Sequence, residues 1–375
     1  MRDETATCRF CVMNAMEAPI GFDATGQCIC CRSALLRLPH EWWPNADGQR
    51  RLEQLVDRLR QEGRGKQYDA TVGLSGGLDS AYLAHVMRSR FGLRLLAVHV
   101  DGGWNSAPAV SNIERLVRTL HIDLHTHVIE WSEMRDLQLA FLRAGVLNQD
   151  FPQDHAFFAT LFRTARNFGI RSFLSGVNFA TEGVGVSGGG VPPSVDGRHV
   201  RAIHRRFGTR KLRRYPLMPL AEYLFMTRIL RRPVIEKPLN LMPYSTEEAR
   251  ATLIKYYDWQ DYGTKHSESR FTKFYQETYL PRKHGVDKRR LHLSSLIVSG
   301  EIDRDAALEI LSRPAVTPEE GERDTRFVAK KLGVSHAEIE GLLDTPPVPH
   351  SAYPSDERWH RALIDLRSRL RGIRR

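Results

Sequence analysis

Cysteine is missing from the whole chain beyond Cys31. A glutaminase of the Cys/His/Glu kind needs a reactive thiol, so a glutaminase of that kind is excluded for every later segment. Also missing is an apolar run long enough to cross a bilayer. The opening residues, "MRDETATCRFC", hold no apolar stretch and no cleavage-site pattern, and the expectation is a cytoplasmic protein without a signal peptide. No internal repeat is visible. Negative charge is in deficit: 44 Asp and Glu stand against 55 Lys and Arg, a net charge of +11 at pH 7. That excess favours anionic partners, whether nucleotides, nucleic acid, phosphorylated substrates or a membrane surface. It does not choose among them, and exposed charge is screened beyond about 8 Å at physiological salt.

The cysteines that are there fall in two dozen residues: Cys8, Cys11, Cys28, Cys30 and Cys31. Structural disulfides are rare in the cytosol. Cys8/Cys11 and Cys28/Cys31 form two C-x-x-C pairs joined by a short linker, the spacing of a zinc ribbon. Unpaired thiols or a redox pair are the other readings. Cys30 is the spare, although the run Cys28-Ile29-Cys30-Cys31 leaves the fourth ligand open. A structural zinc ion would contribute on the order of 10 kcal/mol and fold this small module outright.

After a helix over 49–64, strands and helices alternate. Apolar runs at 68–75, 94–101, 124–131 and 171–176 read as strands; 79–92, 107–121 and 154–169 read as helices, two of them stopped by glycine. This order gives an α/β class with a doubly wound parallel sheet. In such sheets ligands bind at the carboxyl ends of strands. The glycines and prolines of 181–199 predict an irregular loop, and 198–214 is basic throughout. Helical periodicity returns at 304–313 and 326–333, and 359–375 has the pattern of a basic amphipathic helix. The expected units are a zinc-ribbon module over 1–36, an α/β domain with insertions over 37–290, and a helical C-terminal region over 291–375.

The most informative string is "TVGLSGGLDSAY", 71–82, at the end of the first of these strands. It is glycine-rich but lacks the lysine of a Walker loop. Gly76 and Gly77 let backbone amides turn toward an anion, Ser75 and Ser80 add hydroxyls, and the helix that starts near Asp79 contributes its positive end. A glycine-rich turn with no ligand is the bland alternative.

The string resembles the SGG-x-DS motif of PP-loop ATP pyrophosphatases. That resemblance implies an adenine nucleotide alpha hydrolase-like fold in which the loop grips the β- and γ-phosphates of ATP while the α–β bond breaks. "HVDGGWNS" (99–106) and "SGVNFATEG" (175–183) fit the same family. They imply nucleotide contact near Asp101, approach of Gly176 to the α-phosphate, and service of phosphate, Mg²⁺ or substrate by Asn178 and Glu182.

Further strings, "CRFCVM" (8–13), "MPYS" (242–245), "DYGTKHSESRFTKFYQ" (261–276) and "GVDKRRLHLSSLIVSG" (285–300), closely resemble N-acetyl sugar amidotransferases of bacterial surface-polysaccharide pathways. The resemblance implies conversion of a sugar acetamido group, on a nucleotide-linked and typically UDP-linked sugar, into an acetamidino group for polysaccharides such as O-antigen. It also implies ammonia from a separate glutaminase subunit with a cyclase-like barrel. Lys265, His266, Lys288, Arg289 and Arg290 are then candidate anchors for the anionic substrate. Glu268 and Asp287 are candidates to bind Mg²⁺, orient a lysine or accept a proton from ammonia. As residues alone, "DKRR" equally fits a solvated helix start and His266 a satisfied buried group. Two other functions stay open: a tRNA-modifying PP-loop thiolase, which the missing later cysteines count against, and a non-catalytic zinc-ribbon scaffold, which the complete loop motif counts against.

Overall fold

A computed structural model describes residues 6–15, 21–185, 191–263, 265, 267–359 and 362. Five strands, β1 (Ala70–Gly73), β2 (Leu95–Asp101), β3 (Asp123–Val128), β4 (Ser172–Leu174) and β5 (Val234–Glu236), form one sheet in the order β3-β2-β1-β4-β5. Every pairing is parallel. The chain steps outward from β1 to β3, then returns to the other side of β1 for β4 and β5. A crevice therefore opens between the carboxyl ends of β1 and β4, where the winding reverses.

β1 is buried on both faces, as its unbroken apolar run requires. The helix Ala46–Glu62 packs Leu52, Leu55, Val56 and Leu59 into the core beneath it. The expected strand over 124–131 ends at Val128; Trp131 instead opens the helix Trp131–Ala144. That helix is buried on nearly every side and so has no amphipathic stripe to read. Its two buried acids hold the basic run in place. Asp136 accepts from the amides of Thr209 and Arg210, and Glu133 from those of Arg213, Arg214 and Tyr215. Burial pushes Asp136 upward, but the Thr209 hydroxyl and these amides outweigh it and leave its pKa lowered.

The C-terminal helices Arg289–Ser299, Arg304–Ser312, Pro318–Leu332 and His336–Asp344 follow. Val12 of the cysteine module is buried with Leu293, Leu296 and Ala307, and Arg304 donates to the carbonyls of Cys8 and Cys11. The module thus rests on the C-terminal helices. Of the tail 359–375, only Trp359 and Ala362 belong to the described residues, and 186–190 of the glycine-rich loop also lies outside them.

A buried histidine pair ties the helix Gly197–Phe207 to the C-terminal region. His350 Nε2 accepts from the Asn148 amide at 3.1 Å, so its proton is on Nδ1 and points to His199 Nε2, 2.9 Å away. Burial depresses His199 to about 4 and His350 to about 3. The unfolded chain protonates these rings near about 6.5. Stability from the neutral pair is therefore complete above that value and is lost as pH falls toward the folded values. Urea unfolding is expected to show His350 alone costing on the order of 2 kcal/mol between pH 7 and pH 5. A His350→Leu variant should lose less stability than the parent over that range.

Candidate active site

The loop after β1 is preorganised by its own serines. Ser75 Oγ accepts from the Gly77 amide at 3.1 Å, and Ser80 Oγ, 3.3 Å from Ser75 Oγ, donates to the Gly77 carbonyl at 3.0 Å. Gly76 sits at φ +88°, open to glycine at little cost. No side chain caps the helix Leu78–His85, so its first amides face the loop opening. A phosphate fits such a helix start without further cations.

The turn after β4 closes against this helix. A Cβ on Gly176 would come within 2.8 Å of the Ser80 nitrogen. Gly176→Ala must push the two strand ends apart. It is expected to destabilise the fold by about 1–3 kcal/mol, which urea titration measures. Asn178 is 2% exposed, accepting from the Thr181 amide at 3.0 Å and donating to the Gly176 carbonyl at 3.2 Å. It shapes the turn; Thr181 is buried with its hydroxyl donating to Asp79 Oδ2 at 3.3 Å, and Glu182 accepts from Lys265.

The turn after β2 is held by Asp101, whose Oδ1 accepts from the Gly103 amide at 2.7 Å and from Asn105 Nδ2 at 3.1 Å. His99 joins this turn to β1. Its Nδ1 donates to the Leu74 carbonyl at 2.7 Å and its Nε2 accepts from Asn105 Nδ2 at 3.0 Å. Lys331 arrives from the helix Pro318–Leu332, donates to the Gly103 carbonyl and lies 5.1 Å and 5.2 Å from the ring centres of Trp104 and Trp131.

Lys265 and residues 267–270 complete the wall. Residues 268–270 pair with the β2 turn: the Ser106 amide donates to the Glu268 carbonyl and the Arg270 amide to the Trp104 carbonyl, both at 2.8 Å. This sets Glu268 Oε1 3.0 Å from where a Cβ on Gly77 would stand. Lys265 Nζ lies 3.2 Å from Asp79 Oδ2, 3.0 Å from Glu182 Oε1 and 2.9 Å from Thr181 Oγ1. Burial pulls the Lys265 pKa down, but Asp79 and Glu182 more than offset it and the net shift is upward. Asp79 Oδ1 also accepts from the Tyr244 hydroxyl. Burial, then the negative charge nearby, raises the pKa of Tyr244 and Tyr262, so both phenols keep their protons.

Asp79, Glu182, Lys265 and Glu268 are therefore brought to one opening. His266 lies outside the described residues. Arg289 pairs with Asp287 at 2.7 Å and donates to the carbonyls of Ile310 and Arg313, and Arg290 donates to the Val12 carbonyl. These three residues hold the C-terminal helices to each other and to the cysteine module. Lys288 flanks the start of the helix Arg289–Ser299. That helix supports the site from behind, with His292 donating to the Thr181 carbonyl and Ser299 to that of Ala180. Sequence reasoning missed Thr181, Tyr244, Tyr262 and Lys331. The strings that hold Tyr244 and Tyr262 drew attention; nothing in their spacing pointed to Asp79.

Three groups can be tested against this geometry. The loop leaves a space that a side chain at position 77 would fill, as a phosphate cradle needs. Two carboxylates and a hydroxyl already surround an ammonium at Lys265 Nζ, and such hard oxygens suit Mg²⁺. The four sulfurs of Cys8, Cys11, Cys28 and Cys31 all lie within 4.8 Å of one another. Cys8 to Cys31 is 3.7 Å and Cys11 to Cys28 is 3.6 Å, close to the edge of about 3.8 Å that a tetrahedron with Zn–S bonds near 2.3 Å requires. This group could hold a metal ion; Cys30 is buried beside it, outside the set of four.

Residues 268–365 match a family model described as LPS biosynthesis protein WbpG-like, C-terminal domain. The match begins at Glu268 and takes in all of 285–300, one of the strings behind the resemblance to sugar amidotransferases, and it supports that resemblance. Among solved structures, the NMN synthetase of Francisella tularensis is 13% identical with a TM-score of 0.36, over 81% of this chain and 99% of its own. An NH3-dependent NAD synthetase from Campylobacter jejuni is 16% identical with a TM-score of 0.30, over 56% and 85%. The NAD+ synthetase of Burkholderia pseudomallei is 21% identical with a TM-score of 0.28, over 64% and 96%. No curated protein matches the sequence. No helix among the described residues is long and apolar enough to cross a membrane.

Proposed function

We propose that the chain is an ATP-dependent, AMP-forming amidotransferase acting on a nucleotide-linked N-acetyl sugar in the cytoplasm, in surface-polysaccharide biosynthesis of the O-antigen kind. One observation carries this reading. The WbpG-like match starts at Glu268, and the Glu268 carboxylate stands against Gly77 of the phosphate loop. The first residue of the segment that speaks for the polysaccharide pathway thus lies beside the loop proposed to hold the nucleotide.

The chemistry follows from the poor leaving ability of an acetamido oxygen. That oxygen attacks the α-phosphorus of ATP and pyrophosphate departs. Ammonia adds to the activated carbon, AMP carries the oxygen away, and an amidine remains. The loop Ser75–Ser80 holds the departing pyrophosphate through its amides and hydroxyls. Gly176, packed against the Ser80 backbone, would bring its own backbone toward the α-phosphate. Asp79 and Glu182 would hold Mg²⁺, whose charge would offset that of the phosphates. Glu268 would take a proton from ammonia. Zinc would close the four-cysteine group as a structural site. The resemblance implies ammonia from a separate glutaminase subunit with a cyclase-like companion, and the five cysteines of this chain are buried in the N-terminal module.

The test is product analysis. Protein, ATP, Mg²⁺, ammonium and a panel of UDP-acetamido sugars should give AMP, pyrophosphate and a sugar whose carbonyl oxygen has become NH. AMP formed only when tRNA and a sulfur donor replace the sugar would turn the assignment to a thiolase. ADP and phosphate as products would remove the pyrophosphatase chemistry altogether.

A further inference from the structure

The ammonium of Lys265 is where a cation belongs. Asp79 comes from the helix after β1, and Thr181 and Glu182 from the turn after β4. Their three oxygens lie 2.9–3.2 Å from Nζ. Two of them are carboxylates, one is a neutral hydroxyl, and this set suits a hard divalent ion. Magnesium would sit about 2.0–2.1 Å from such oxygens. It cannot share the space with an ammonium of the same sign.

The lysine is held there by charge more than by packing. Its side chain is 23% exposed, and its neighbours toward the C-terminus are fixed to the β2 turn through Glu268 and Arg270. Asp79 and Thr181 are fixed independently of it. Tyr244 holds Asp79, Asn178 holds Thr181, and the helix Arg289–Ser299 holds the carbonyls of Ala180 and Thr181. Removing the ammonium therefore leaves a formed, negatively charged site.

We propose that Lys265 is a displaceable internal counter-ion: in the resting protein it fills the Asp79–Thr181–Glu182 cation site, and it must leave before a divalent metal enters. Polyphosphate in the loop offers it a new partner within the same opening, so nucleotide and metal favour each other's binding. The device keeps two carboxylates neutralised without metal and prevents metal from loading an empty cradle. It rests on the reading of 75–80 as a polyphosphate site, but its first consequence needs no nucleotide and no sugar.

The experiment measures Mn²⁺ binding to the full-length, zinc-loaded chain by electron paramagnetic resonance, without nucleotide. Lys265→Met should bind Mn²⁺ at least about tenfold more tightly than the parent, the usual scale of a coupling between sites. Lys265→Arg keeps a cation and should stay as weak as the parent. Adding Asp79→Asn to Lys265→Met should abolish the gained site, which separates it from adventitious carboxylates elsewhere. Circular dichroism confirms that each variant is folded. Equal or weaker Mn²⁺ binding by folded Lys265→Met overturns the proposal, whatever the products of turnover are. Conversely, tighter binding in Lys265→Met stands even if no sugar is ever amidated.

Discussion

Asp79→Asn is expected to lower AMP formation by roughly two to three orders of magnitude, the scale for losing one aligned electrostatic group at a transition state. The fold should survive. An Asn amide oxygen still accepts from Tyr244, and the residue stays in the first turn of the helix Leu78–His85. What disappears is the negative charge that faces Lys265 at 3.2 Å and that a divalent ion would need. Lys265 then keeps only Glu182 as an ionic partner among the pairs found here. Steady-state kinetics and a melting curve on the same sample separate the two effects. Melting within a few degrees of the parent with turnover nearly gone is the expected pair of results. Turnover close to the parent's would remove Asp79 from the reaction.

Cys28→Ser should have the largest effect on stability. Cys28 is a member of the four-sulfur group and also caps the helix Ile29–Glu41, its Sγ accepting from the Cys31 amide at 3.4 Å. With zinc bound, losing one thiolate forfeits much of a binding energy on the order of 10 kcal/mol. The damage should reach the cradle, because the cysteine module is buried against Phe179, Val184 and Val298. Trp42 stacks on Phe179, and Arg37 donates to the Gly183 carbonyl. Thr181 and Glu182 lie between those two contacts. Zinc content and AMP formation should fall together, while limited proteolysis within the first forty or so residues should rise. Cys30→Ala, outside the set of four, should keep its zinc.

The parts of this fold that were readable are those whose environment is uniform. β1 and β2 are buried runs, the helices Ala46–Glu62 and Ala107–Leu120 have one apolar face each, and their caps are ordinary. The helix Trp131–Ala144 was not readable because burial on all sides erases periodicity, and because its core-facing Glu133 and Asp136 look like surface residues until the amides of 209–215 are set against them. β5 is three residues long with two of them exposed, too little for a pattern. At the site, the loop 75–80 could be read from glycines, serines and a strand–helix junction. Lys265 and Glu268 came only through the family resemblance. No local rule brings 268–270 beside 104–106; that pairing is a long-range bridge between two irregular segments. Arg289 and Asp287 show that charges close in sequence can pair with one another.

The central claim is that the acetamido oxygen itself is adenylylated. A UDP-acetamido sugar carrying a heavy-oxygen label in its acetamido carbonyl tests it directly, with ATP, Mg²⁺ and ammonium and the products resolved by mass. The account predicts that the label leaves the sugar and appears in the phosphate of AMP, one label for each amidine formed. Label retained in the sugar, or found in inorganic phosphate with ADP as the nucleotide product, would contradict it.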